Sequence, residues 1–170
     1  MNLAAEVGLA ELTIDAVAAR AGVSKATIYR RWTCKEALML EALSVAHGVD
    51  REAVPNTGSL VGDLEELASR ATSILADKRV ASCLPDILAA ARVSPDLRPL
   101  AEALMQEKGE PLRQILLSAV RRGEIPADAD VDLVQAMLFG PIFYLLYAGH
   151  RVDAVRFRAV IDVVLAGLTK

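Results

Sequence analysis

Lys25, Thr27, Tyr29 and Arg30 fall within six positions, directly after Gly22-Val23-Ser24. An ammonium, a hydroxyl, a phenol and a guanidinium so close together are the groups that bind phosphate oxygens and read base edges in a DNA groove. Charge points the same way. Residues 13–35 hold five basic side chains, Arg20, Lys25, Arg30, Arg31 and Lys35, against one acid, Asp15, although the whole chain carries 19 Lys and Arg against 22 Asp and Glu. A cationic block on an otherwise acidic chain fits a polyanion-binding head joined to a body that does not touch DNA. Catalytic chemistry has little to work with. The two histidines, His47 and His150, form no carboxylate–histidine cluster with metal-ligand spacing, and His47 with Asp50 at i, i+3 reads as a helix-end histidine. There is no Ser-His-Asp or Cys-His arrangement and no phosphate-cradling glycine loop. No metal, no cofactor and no enzymatic activity are expected.

The basic block needs elements to hold it. Thr13 can cap a first helix whose inward face is Ile14, Val17 and Ala18. Gly22 stands where the chain must turn sharply, with the positive φ that glycine tolerates best. Val23 is expected to plug the angle between two helices, and Ser24 to cap the second, with Ile28 facing inward. Helix, glycine turn and capped helix in this order make a helix-turn-helix.

The rest of the 170 residues is also helical in pattern. Hydrophobic residues are 54% of the chain and aromatics 4%, mostly Ala, Leu and Val, and no run alternates with period two. Leu60, Leu64, Leu67, Ala71, Ile74 and Leu75 form one stripe, and Phe157, Val160, Ile161, Val164, Leu165 and Leu168 another after an Asp153 cap. Ser94-Pro95 reads as a helix start, Arg122-Gly123 as a stop, and Pro111 and Gly140-Pro141 as breaks or kinks. The expected fold is all-α: an N-terminal three-helix helix-turn-helix DNA-binding domain over 1–36, its first helix shortened, and a C-terminal helical ligand-binding and dimerisation domain over 37–170. Cys34 and Cys83 lack C-x-x-C spacing and read as free thiols in a reducing cytosol. No signal segment is visible at the start, and the most apolar stretch, 136–149, falls short of the roughly 18 residues a membrane span needs. A cytoplasmic protein with no membrane contact is expected.

The stretch Gly22-Val23-Ser24-Lys25-Ala26-Thr27-Ile28-Tyr29-Arg30-Arg31-Trp32, followed by Cys34-Lys35-Glu36-Ala37-Leu38, resembles the DNA-binding signature of the tetracycline-repressor (TetR) family of bacterial regulators. Pro55-Asn56-Thr57-Gly58-Ser59-Leu60, Arg121-Arg122-Gly123-Glu124-Ile125-Pro126 and the segment around Gly140-Pro141 resemble one C-terminal subgroup more loosely. The resemblance implies backbone contacts to DNA by Thr13, Tyr29 and Lys35, and major-groove contacts by Lys25, Thr27 and Arg30, with Ser24 and Ala26 completing the DNA-facing set. It assigns Trp32 to the packing of the head. Cys34 stands where serine or proline is common, at the expense of a capping hydroxyl. The implied function is a homodimeric regulator, paired through its last two helices (roughly 131–148 and 154–168) and acting as a repressor. A small-molecule effector would release it from a palindromic double-stranded DNA operator, with the helix over 34–47 as the lever.

Phe139, Phe143 and Tyr147 recur at fours, with Tyr144 a quarter-turn away. They read either as the wall of an apolar ligand pocket, with Cys83 and Met105 as further members, or as core or dimer seam. The scarcity of polar residues there favours an apolar or aromatic effector. Two other functions fit parts of the chain: a helical small-molecule-binding dimer with a non-functional DNA head, and an enzyme using the apolar cavity through Cys83.

Overall fold

The computed structural model describes residues 2–46 and 53–168, and His47 lies outside them. Among the described residues all regular structure is helical: α1 (Asn2–Glu11), α2 (Ile14–Ala21), α3 (Lys25–Tyr29), α4 (Lys35–Ala46), α5 (Leu60–Leu75), α6 (Lys78–Val93), α7 (Arg98–Arg122), α8 (Val131–Tyr147) and α9 (Ala154–Leu168). None of these is long and apolar enough to cross a membrane.

Packing divides the chain into two units, Met1–Gly48 with Asp77–Met105, and Val49–Ala76 with Gln106–Lys170. In the first, α1 and α4 pack on α6, while α2 packs on α3. Its interior includes Leu9, Leu12, Leu40, Leu43, Cys83 and Ile87. The sequence boundary at 36/37 therefore differs from the packing boundary: α4 and α6 bury their apolar faces with the head, a grouping that joins segments too far apart for local pattern to reveal. α1 is helical only in pieces, because Gly8 adopts φ 81, ψ 160 and interrupts it.

In the second unit α9 packs on α5 and α8 around Leu60, Leu64, Leu112, Ile115, Leu116, Leu138 and Ile161. Two signals behave as their sequences predict: Asp153 accepts from the Arg156 amide, and Gly123 takes φ 77 to end α7. Ser59 caps α5 by accepting from the Gly62 amide. The prolines do not break their helices. α7 runs unbroken through Pro111 and α8 through Pro141. In each case the residue whose carbonyl loses its amide donor, Glu107 or Met137, is exposed, and buried neighbours such as Leu112 and Ile142 anchor the helix across the gap. Nor does Ser94 cap a helix at Pro95. Residues 94–97 form a turn, closed by the Arg98 amide on the Ser94 carbonyl, and α7 begins at Arg98.

One polar cluster ties this unit together. Asp63, on α5, is 1% exposed; its Oδ1 accepts from the Thr57 amide at 2.6 Å and the Thr57 hydroxyl at 2.8 Å, and its Oδ2 accepts from Arg122 Nη2 at 3.1 Å. Arg122 Nε also donates to Glu124 Oε1 at 2.5 Å, and Glu124 Oε2 accepts from the Leu60 amide at 2.7 Å. Burial pushes the Asp63 carboxyl up, but the Thr57 donors and the Arg122 guanidinium outweigh it and hold it below its ordinary value. The Leu60 amide, then Arg122, lower Glu124. Glu124, then Asp63, raises Arg122.

Both carboxyls are depressed on folding, so their contribution to stability is full above the ordinary carboxylate pKa of about 4 and disappears as pH falls through the folded values. Asp63→Ala should destabilise the chain by about 1–3 kcal/mol at pH 7, since it leaves the Thr57 amide and hydroxyl without their acceptor at a buried position. Urea unfolding at pH 7 and at pH 3 should show the gap between variant and wild type narrowing in acid.

Candidate nucleic-acid interface

The interface is built from local caps. Thr13 Oγ1 accepts from the Ala16 amide at 3.2 Å and starts α2, whose Ile14 and Ala18 are buried. At its end Gly22 takes φ 66, ψ 29, and the Val23 amide reaches back to the Ala18 carbonyl at 3.1 Å. This left-handed residue reverses the chain. Ser24 then accepts from the Thr27 amide at 3.2 Å and starts α3. Ile28 is buried against Ile14 and Ala18, with Val17 and Trp32 packed around them. Val23 does not plug the interhelical angle; it is 42% exposed, because the small residues of α2 already let Ile28 close that contact.

With Ile28 turned inward, the other residues of α3 face outward. Ser24, Lys25, Ala26, Thr27, Tyr29 and Arg30 are all exposed, Tyr29 by 52%, as is Thr13. The Ser24 and Thr27 hydroxyls lie 3.0 Å apart and share a hydrogen bond. Trp32 is part-buried and donates from Nε1 to Glu41 Oε2 at 2.8 Å, while Arg31 stacks 5.0 Å from its ring centroid and pairs with Glu41. Trp32 thus secures α4 to the helix-turn-helix, and Glu41 is a supporting residue that the motif alone did not reveal.

Lys35 has a different setting from the one its motif position implied. Its Nζ donates to the carbonyls of Leu9 and Ala10, both at 2.8 Å, and so closes the end of α1. These bonds use two of its three donors. Cys34 keeps the role of the hydroxyl it replaces: the Ala37 amide approaches its Sγ at 3.5 Å.

The candidate pocket residues fall in different packing units. Cys83 is buried and Met105 half-buried in the first unit, while the aromatics belong to the second. Phe139 and Phe143 are half-buried with ring centroids 6.2 Å apart. Tyr144 and Tyr147 are 70% and 78% exposed and do not line an enclosed pocket within this chain. The buried stripe of α8 is aliphatic, Val134, Leu138, Ile142 and Leu146, which turns Leu133, Met137, Gly140, Tyr144 and Tyr147 to the opposite, outer face. That outer face contains no charge.

Residues 1–42 match the family model described as bacterial regulatory proteins, tetR family, and residues 54–164 match the model for the tetracyclin repressor-like C-terminal domain. The chain is 31% identical to the HTH-type transcriptional regulator YdeS of Bacillus subtilis over 89% of its own length and 77% of that protein. It is 30% identical to a DNA-binding transcriptional repressor, TetR, of Mycobacteroides abscessus, over 96% of this chain and 86% of that one. The crystal structure of the regulator FadR from Bacillus subtilis in complex with stearoyl-CoA superposes with a TM-score of 0.78 at 22% identity, covering 98% of this chain and 94% of that one.

If the turn and cap set the interface, their substitutions should register in stability while the groove-facing ones should not. Gly22→Ala meets nothing within 4 Å and suffers only from its left-handed backbone, about 1 kcal/mol. Ser24→Ala should also lose about 1 kcal/mol. Lys25→Ala should leave thermal unfolding unchanged within about 0.5 kcal/mol.

Proposed function

The chain belongs to the tetracycline-repressor family of DNA-binding transcriptional regulators, and from that membership we propose that it is a homodimeric repressor released from a palindromic operator by an apolar small molecule. The observation that carries the reading is the outward set on α3, held in place by the Gly22 turn and the Ser24 cap. Lys25, Ala26, Thr27 and Arg30 face the major groove, with the methyl groups of Ala26 and Thr27 suited to thymine and the cations to guanine. Thr13, Tyr29 and the remaining donor of Lys35 hold phosphates.

The charge-free outer face of α8 supports pairing of two copies. α9 adds exposed Val155 and Val163. A helix that is apolar on both faces belongs in an interior, and a second copy supplies it through a two-fold, self-complementary seam. Tyr144 and Tyr147 are therefore assigned to the seam, and Phe139 and Phe143 remain the ligand candidates. Two related heads then meet successive major grooves, with half-sites about 34–36 Å apart. An effector need only alter the separation of the heads; a coupling of about 1–3 kcal/mol weakens binding 5- to 150-fold. The stearoyl-CoA bound to FadR, a structure of the same fold, supports an effector with an apolar acyl chain, although its coenzyme A part is highly charged. The proposed place of action is the cytoplasm.

Selection of bound fragments from random-sequence DNA, followed by a screen of acyl and aromatic compounds for release, tests this directly. An inverted repeat should emerge; fragments without two-fold symmetry would contradict it. Lys25→Ala or Thr27→Ala should change base preference, whereas Tyr29→Ala should weaken all duplexes alike. Met137→Glu should leave the chain folded but monomeric by sedimentation and reduce operator affinity more than about 100-fold, since each monomer then binds one half-site alone.

A further inference from the structure

The five cations of the head are not equally available. Arg20 pairs with Glu6 at 2.6 Å, Arg31 with Glu41, and Lys35 with two carbonyls, while Lys25 Nζ lies 2.5 Å from Asp15 Oδ1. Among the described residues, Arg30 alone of the five has no such acceptor. The Lys25–Asp15 pair differs from the others in joining the two helices of the motif to each other. Lys25 is the first residue of α3 and Asp15 lies in the first turn of α2, where an acid is favoured by the helix dipole. Both side chains are more than half exposed, so water screens the pair and it exchanges readily.

We propose that Asp15 is a specificity-determining residue of the head, withholding Lys25 from the phosphates of arbitrary duplex and yielding it to a base edge in the cognate site. The proposal rests on the DNA-binding reading of α3. On arbitrary DNA, moving Lys25 to a phosphate exchanges one anionic acceptor for another. It also leaves the Asp15 carboxylate unpaired beside a polyanion. Lys25 therefore stays with Asp15 and displaces no counterion. At a cognate guanine, O6 and N7 together accept from the ammonium in a fixed direction, a bond that arbitrary sequence does not offer there and that offsets leaving Asp15 unpaired. Asp15 accordingly suppresses background binding more than cognate binding, and holds the ammonium near the groove instead of along the backbone.

The test uses the full chain with two probes: the duplex that it selects from a random pool, and a scrambled duplex of equal length. Affinities are measured across salt concentrations for wild type, Asp15→Asn, Lys25→Gln and the double variant. Asp15→Asn should bind the scrambled duplex about three- to tenfold more tightly at low salt and steepen its log-affinity versus log-salt slope by about 0.9, one extra phosphate contact. The selected duplex should change less than about twofold, so that discrimination falls, and the effect should vanish in the Lys25→Gln background. Equal gains on both duplexes, or a gain that persists without Lys25, would overturn the proposal by reducing Asp15 to a general charge effect. A loss on both with a lower Tm would overturn it in favour of a purely structural role. A wild-type chain that selects no duplex would instead refute DNA binding by α3 itself.

Discussion

The angle between α2 and α3 is the constraint from which the proposed chemistry of the head follows. It is set by a single residue with φ 66 and by a serine whose hydroxyl accepts from the Thr27 amide in the first turn of the next helix. Together they turn the chain so that Ile28 closes onto Ile14 and Ala18. Every other side chain of the short α3 then has nowhere to go but outward. A five-residue helix is not stable by propensity; it exists because its cap and its one buried residue are both satisfied. Trp32, held by Glu41 and stacked by Arg31, extends the same small core to α4.

The second unit solves a different problem. Its core is aliphatic and uniform, which specifies burial but not register. The cluster of Thr57, Asp63, Arg122 and Glu124 supplies direction: it locks the start of α5 to the end of α7, with each donor and acceptor assigned. The outer face of α8 has the opposite character, large and apolar, with the exposed hydroxyls of Tyr144 and Tyr147 as its polar groups. One surface is therefore finished by hydrogen bonds within the chain, and the other is the exposed apolar face on which the proposed pairing rests.

The features legible in the sequence were the local ones. Thr13, Gly22, Ser24, Gly123 and Asp153 each act within five residues of themselves, so residue type and spacing were sufficient. Asp63 was not legible, because its guanidinium partner is 59 residues away and its position in α5 looks like an exposed turn. The pairings of Lys25 and Lys35 were missed for the same reason: spacing shows a cation but not what already holds it. Tyr144 and Tyr147 were grouped with the half-buried phenylalanines by chemical type, whereas the helix turned its aliphatic row inward and left the tyrosines out. Pro111 and Pro141 looked like breaks because sequence rules price the lost hydrogen bond without the tertiary packing that offsets it.

Methylation interference on the selected duplex addresses the central claim most directly, that α3 enters the major groove. Methyl groups on guanine N7 project into that groove, and those on adenine N3 into the minor one. Interference at guanine N7 in both half-sites, with adenine N3 methylation tolerated there, is the predicted pattern; interference confined to adenine N3, or to neither, would contradict it.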